Sequence, residues 1–283
     1  MNKRKKTVDT TFLSLNQAEE RGFIHRDYLA HCLRWSHALR HVLQLKKVGI
    51  LDVGCGKELP FAGLLHTNKL NSHVLNYVGV DYGPINPKQT KFNMILHEKT
   101  DFATMAFEGW FNLVISFEVL EHVEPMHGYQ ILMNIRHHVT ESGVVLISTP
   151  CYDAHIGAAD NHVNEMTFNA VKLLVQLAGF QIEAVYGTFA SQKDYKPHLT
   201  AGEQEVFDKL HCYYDSNVLS CFMAPLHPEQ ARNCLWVLKP AMPVSDQMLL
   251  EKVLSIGTKS SSSGLWLTDL KQILDNFTGA TCK

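Results

Sequence analysis

The stretch Gly49 to Gly56, GILDVGCG, constrains the fold more than any other part of the chain. Its apolar run from Val48 to Val53 predicts a buried strand. Gly54 and Gly56 then free the following loop to take conformations closed to other residues and to bring backbone amides close to a ligand. A helix is expected from about Leu59 to Leu65, with Pro60 in its first turn, where the missing N–H costs nothing. Strand, glycine turn and helix in succession are how an open α/β sheet builds a ligand crevice outside the carboxyl ends of its strands. A dinucleotide loop, G-x-G-x-x-G, needs a third glycine where this chain has Leu59, so a pyrophosphate on the helix N-terminus is a poor fit.

The flanking sequence continues the alternation of strands and helices. Tyr28, Leu29, Cys32, Leu33, Trp35, Ala38, Leu39, Val42 and Leu43 make a helical stripe between about Arg26 and Leu45. Tyr28, His31 and Arg34 fall on nearby positions of that helix and either meet a ligand carboxylate or line a domain surface. A second strand, Tyr77 to Val80, ends at Asp81, whose carboxylate can accept hydrogen bonds from both hydroxyls of a ribose, or serve the turn before Gly83 and Pro84. Further strands are expected at Phe92 to Leu96, Phe111 to Ser116, Val144 to Ser148, Gln181 to Phe189 and about Asn233 to Leu238. Helices are expected at about His127 to His138 and at Thr167 to Ala178, the latter stopped by Gly179.

DVGCG resembles the first motif of the class I S-adenosylmethionine-dependent methyltransferases, whose usual run is D-x-G-x-G-x-G; Glu58 stands here in place of the third glycine. The phrase FEVLEHVEP resembles the E-V-[LIV]-E-H-[VIL] segment of the same group, and the last strand, NCLWVLKP, resembles its reversed seventh strand. The resemblance spans roughly Tyr28 to Pro240. It implies an α/β, Rossmann-like seven-stranded sheet, mostly parallel with a reversed last strand and helices on both faces, to which a short helical C-terminal extension is added. It also implies S-adenosyl-L-methionine as cofactor, bound by Asp52, Gly54, Cys55, Gly56, Asp81, Tyr82, Asp101, Phe102, Phe117 and Glu118. Asp101 would face the adenine amino group and Phe102 would pack on the ring, although Asp101 can equally cap the turn that follows.

Two details bear on the acceptor. Glu118, Glu121 and His122 stand at i, i+3 and i+4, so on a helical turn all three would share one face. STPCYD and NHVNEMTF then supply His162, Glu165 and Thr167; in the small-RNA 2′-O-methyltransferases a similar histidine joins two glutamates and a first histidine around a divalent ion. Metabolite enzymes of the group carry similar phrases without a metal, so a divalent ion on Glu118, Glu121, His122 and His162 is left open. His122 and His162 are the candidates for catalytic proton transfer, because imidazole titrates near neutral pH. Thr149-Pro150-Cys151 follows the fifth strand and not the fourth, which sets aside a cytosine C5 nucleophile.

Composition narrows the partners. With 26 basic and 28 acidic side chains the net charge is -2, so no strongly basic nucleic-acid groove is advertised. Seven cysteines without a C-x-x-C pair argue for a reducing compartment. No apolar run approaches signal-peptide or membrane-spanning length, and a cytoplasmic protein without membrane association is expected. The expected organisation is a basic N-terminal tail over 1–25, a methyltransferase domain over 26–240 and an extension over 241–283 with weak helices at 245–254 and 265–277. An insert at 190–230 would form the acceptor side, with Tyr213, Tyr214 and Phe222 as lining candidates. The expected activity is methyl transfer to an O or N atom of a small molecule. A nucleic-acid ribose methyltransferase is the near alternative, and a cofactor-binding scaffold without turnover is the non-enzymatic one.

Overall fold

The computed structural model describes residues 26–87, 92–241 and 261–262. The basic tail and the two weak C-terminal helices expected from the sequence lie outside the described residues. Seven strands form one sheet: β1 (Val48–Val53), β2 (Val74–Val80), β3 (Met94–His97), β4 (Phe111–Phe117), β5 (Val139–Pro150), β6 (Phe180–Phe189) and β7 (Asn233–Pro240). Their spatial order is β3-β2-β1-β4-β5-β7-β6. The first five pair in parallel, and β7 runs antiparallel to both β5 and β6. The mostly parallel sheet with a reversed last strand is therefore the observed architecture.

Every residue of β1 is buried. Helices cover both faces of the sheet, so a central strand reads as a continuous apolar run and not as an alternation. On one face α1 (Arg26–Leu45) and α2 (Pro60–Thr67) pack over Ile50, Tyr77, Leu113 and Leu146. On the other, α3 (Pro125–His138) and α4 (Phe168–Leu177) cover Leu51, Val53, Val114 and Ile147. Thr167 caps α4 by accepting from the Ala170 N–H at 3.3 Å, and Gly179 follows the helix at φ 85°.

Two strands begin earlier than their apolar runs. β2 starts at Val74 with Leu75 and Asn76 exposed, and β5 starts at Val139 with Glu141 and Ser142 exposed. Hydrophobic pattern marks only the buried middle of a strand, whereas backbone pairing continues beyond it. Between β6 and β7 lie α5 (Gln192–Tyr195), α6 (Ala201–His211) and α7 (Ser216–Met223), anchored by the buried Tyr195 and Phe207. Among the described residues no helix is long and apolar enough to cross a membrane.

Candidate active site

The loop after β1 is built by conformation. Gly54 and Gly56 have φ of 75° and 73°, and a Cβ on Gly54 would stand 2.3 Å from Val119 Cγ2. The Gly54 and Cys55 N–H groups donate to the Val80 carbonyl at 2.8 and 3.1 Å, which ties the loop to the end of β2. Asp81 continues the clamp by accepting from the N–H groups of Gly56 at 2.8 Å and Gly83 at 2.7 Å, one on each carboxylate oxygen. Each oxygen keeps a further lone pair for a ligand hydroxyl. Beneath the loop, Asp52 accepts from the Tyr77 hydroxyl. Burial lifts the Asp52 carboxyl to about 7, the Tyr77 bond opposing and the Asp81 charge adding to the rise. Burial, with Asp52 and Asp81 alongside, pushes the Cys55 thiol up, so this side chain is a packing group.

Three cavities meet at the carboxyl ends of the strands. One of about 720 Å³ is lined by Asp81, Tyr82, Asp101, Phe102 and Glu118, and one of about 460 Å³ by Asp52, Gly54, Cys55, Gly56 and Phe117. The ten residues singled out for the cofactor thus divide between two adjoining spaces. A third cavity, of about 650 Å³, takes in His31, Cys151, His162, Glu165, Arg232 and Asn233. Glu118 lines all three. Asp101 accepts from the Ala103 N–H at 2.9 Å within its turn, and it also lines the 720 Å³ cavity, with His127 Nε2 2.9 Å away.

Glu118 sits at φ 57° just past β4 and is held by a polar network from distant elements. Arg34 on α1 donates to it at 3.0 Å, Ser148 on β5 at 2.7 Å, and Asn233 on β7 to both carboxylate oxygens at 3.0 and 2.9 Å. Burial alone would raise this carboxyl, but Arg34, Asn233 and Ser148 together hold it below its ordinary value. Arg34 also donates to His31 Nδ1 at 2.7 Å. Since a guanidinium only donates, His31 is neutral there, in keeping with a value lowered to about 4 by burial and by Arg34, with Glu118 opposing.

The expected sharing of one face by Glu118, Glu121 and His122 is not what the chain adopts. Left-handed backbone at Glu118 separates it from the single 3₁₀ turn Leu120–His122. Glu121 turns inward and is fully buried, whereas His122 is 41 % exposed. Glu121, His122 and His162 nevertheless converge, each offering a ligand atom within 4.8 Å of the others. The two imidazoles meet edge to face at 4.9 Å between centroids. Glu121 Oε2 accepts from Thr149 at 3.1 Å, while the buried Oε1 has no hydrogen-bond partner. Burial first, and then Glu118, pushes the Glu121 carboxyl well up, so it is neutral unless a cation arrives. Glu165, half of the H-x-x-E phrase, stands behind His162, its Oε1 2.5 Å from Nδ1.

Tyr213, Tyr214 and Phe222 do not line any of these three cavities; they are exposed on the insert, Tyr213 at 83 %. Tyr214 and Phe222 pack on each other edge to face, 5.5 Å between centroids, and the insert's contribution to the third cavity is Ser191 and Lys193. Sequence reasoning missed Asn233, Ser148 and Asn134. Asn134 on α3 donates to the carbonyls of Phe102 at 2.6 Å and Met105 at 2.9 Å and so holds the loop under Phe102. The signal for Asn233 and Ser148 was available: each is a polar residue bordering an apolar run, 234–238 in β7 and 144–147 in β5.

Comparison with known proteins adds a family. The sequence model of a family described as "Methyltransferase domain" matches residues 34–185. No curated protein matches the chain. Among solved structures the chain is similar to the 1,6-didemethyltoxoflavin-N1-methyltransferase of Burkholderia thailandensis, at 13% identity over 80% of this chain and 85% of that one, TM-score 0.48. It is also similar to the O-methyltransferase of a trans-AT PKS multienzyme of Brevibacillus brevis, at 18% identity over 72% of each chain, TM-score 0.43.

Proposed function

The chain belongs to the methyltransferase-domain family, and on that premise we propose that it transfers a methyl group from S-adenosylmethionine to an oxygen or nitrogen of a small molecule in the 650 Å³ cavity. The observation that carries this reading is the position of His162, which lines both that cavity and the one beside the glycine loop. An imidazole on this boundary reaches an acceptor atom where donor and acceptor must meet, and it can take the acceptor's proton. The cofactor supplies an electrophilic methyl on its sulfonium.

The protein's residues bind, orient and exclude water. The space beside the glycine loop, lined by Tyr28, Asp52, Gly54 and Gly56, suits the amino-acid part of the cofactor. Asp81 offers its remaining lone pairs to ribose hydroxyls, Phe102 an apolar surface and Asp101 an acceptor to the base. His122 and His162 handle the proton released by the acceptor. A small acceptor is favoured because the third cavity has small-molecule size and both its guanidinium groups are engaged: Arg232 pairs with Asp153 at 2.5 Å and Asp194 at 2.7 Å, and Arg34 with Glu118 at 3.0 Å.

The test is calorimetric titration with S-adenosylmethionine, followed by a panel of hydroxyl and amine acceptors assayed for S-adenosylhomocysteine release. The H122N/H162N double variant should keep cofactor binding and lose about 10²–10⁴-fold in kcat. Unchanged turnover in that variant would overturn the assignment.

A second reading, metal-assisted methylation of a nucleic-acid ribose, draws on the convergence of Glu121, His122 and His162 and on the unpartnered Glu121 Oε1. A first-row divalent ion suits one carboxylate and two imidazoles and would acidify an acceptor hydroxyl. It requires that manganese raise the melting temperature of chelator-treated protein but not of H122A, and that polynucleotide binding weaken steeply with salt. Turnover of a small acceptor in the presence of chelator decides for the first reading.

A further inference from the structure

Beyond β7 the chain returns to the site at Ser261 and Ser262. Ser261 is buried and bridges Met166 in antiparallel fashion, while Met166 bridges Cys151 in parallel on its other side. Ser262 makes a two-point clamp on the preceding residue: its N–H donates to the Glu165 carbonyl at 2.8 Å, and its hydroxyl accepts from the Glu165 N–H at 2.8 Å. The opposite edge of this segment is pinned by the Tyr152 N–H on the Met166 carbonyl at 2.9 Å and by the Asn164 N–H on the Glu121 carbonyl at 3.0 Å. Residues 164–166 are thus a short extended piece held between the end of β5 and the C-terminal extension. What it carries is the Glu165 carboxylate, 6 % exposed, which also accepts from the Ala159 N–H at 2.9 Å and meets His162 Nδ1 at 2.5 Å.

We propose that Ser262 is a positioning residue for His162, acting through Glu165, so that the C-terminal extension completes the proton-handling site. An ionised carboxylate only accepts, so the contact at Nδ1 requires a proton there; in the neutral ring the lone pair then lies on Nε2. Without the clamp on Glu165, the carboxylate loses its fixed place and the ring its tautomer. This inference rests on the reading of His162 as a proton-handling group, but its test involves neither cofactor nor acceptor.

The experiment is nitrogen-15 NMR of the histidine rings in the full-length protein, followed to the alkaline plateau of the titration, with the His162 signals assigned by their loss in H162N. The native ring should show the Nδ1–H form. S262P, which removes both the N–H and the hydroxyl, should shift it to a mixture of the two tautomers, as should E165A. Where S262P fails to fold, S262A, which deletes the hydroxyl alone, should produce the same shift in smaller measure. A native ring in the Nε2–H form, or a folded serine variant with the native signature intact, overturns the proposal. If these shifts occur while H162N turns over acceptor normally, it is the catalytic reading of His162 that fails and not the clamp.

Discussion

Asn233 is the residue on which the polar floor of the site converges. Its amide nitrogen donates to both oxygens of Glu118, and its carbonyl oxygen accepts from Arg34 at 3.3 Å and Thr188 at 2.9 Å. Replacing it by alanine leaves a buried guanidinium and a carboxylate short of partners, at a cost of about 1–3 kcal/mol. Urea denaturation of N233A should read that loss. Asp52 makes a second prediction at this scale. Its carboxyl, lifted to about 7, keeps its proton through mildly acid pH, yet a cofactor ammonium beside the glycine loop favours the ionised form. Affinity for S-adenosylmethionine should therefore rise as pH passes upward through about 7, with proton release visible as buffer-dependent heat. D52N should flatten both; a pH-independent affinity in the native protein would remove Asp52 from the cofactor site. Cys55, Asp81 and Tyr77 are the neighbours: burial pushes the Cys55 thiol and the Tyr77 hydroxyl up, away from this range, and the Asp81 charge adds to the rise of Asp52.

Elements place these residues, and glycines decide how closely elements approach. At Gly54 the backbone is left-handed and Val119 occupies the space a side chain would need, so G54A meets both strain and a clash. A stability loss of about 1–3 kcal/mol and a collapse of cofactor affinity are expected together, measured by thermal unfolding and calorimetry. Gly187 on β6 is a case of packing alone: a Cβ there would lie 2.3 Å from the Ala224 carbonyl oxygen and 2.7 Å from Ala231 Cβ. This is also the scale at which the sequence is most readable. β1 and its loop are contiguous, Asp81 directly follows the apolar run of β2, and periodicity and glycine chemistry report on neighbours along the chain. The Glu118 network joins positions 84 and 115 residues apart, and nothing local marks Asn233 as Glu118's partner. The shared face drawn for Glu118, Glu121 and His122 failed for a related reason, since helical spacing presumes helical backbone and Glu118 leaves it.

At the scale of the whole molecule, the buried titratable groups set the response to acid. The His31 and His37 imidazoles are each lowered to about 4 from 6.5, His31 by burial and Arg34, His37 by burial with Arg40 and His41. Between those values the unfolded chain binds more protons than the folded one, so stability rises with pH, and acidification through this window favours unfolding. Glu118, with its carboxyl lowered, has the same sign, losing its contribution as pH falls. Asp52 and Glu121 have the opposite sign, because their raised carboxyls hold protons that the unfolded chain has already released. The melting temperature is expected to fall on going from pH 6.5 to 4, the imidazoles and Glu118 prevailing. His37 lies outside the three cavities, its ring tilted against Tyr186 on β6 at 4.6 Å between centroids, which makes it the clean probe. H37Q should reduce the slope of melting temperature against pH in that window and leave the slope above pH 7 unchanged. An identical slope in the variant would mean that His37 binds its proton equally in the folded and unfolded chains, and the acid response would then belong to His31 and Glu118 at the base of the site and to His41.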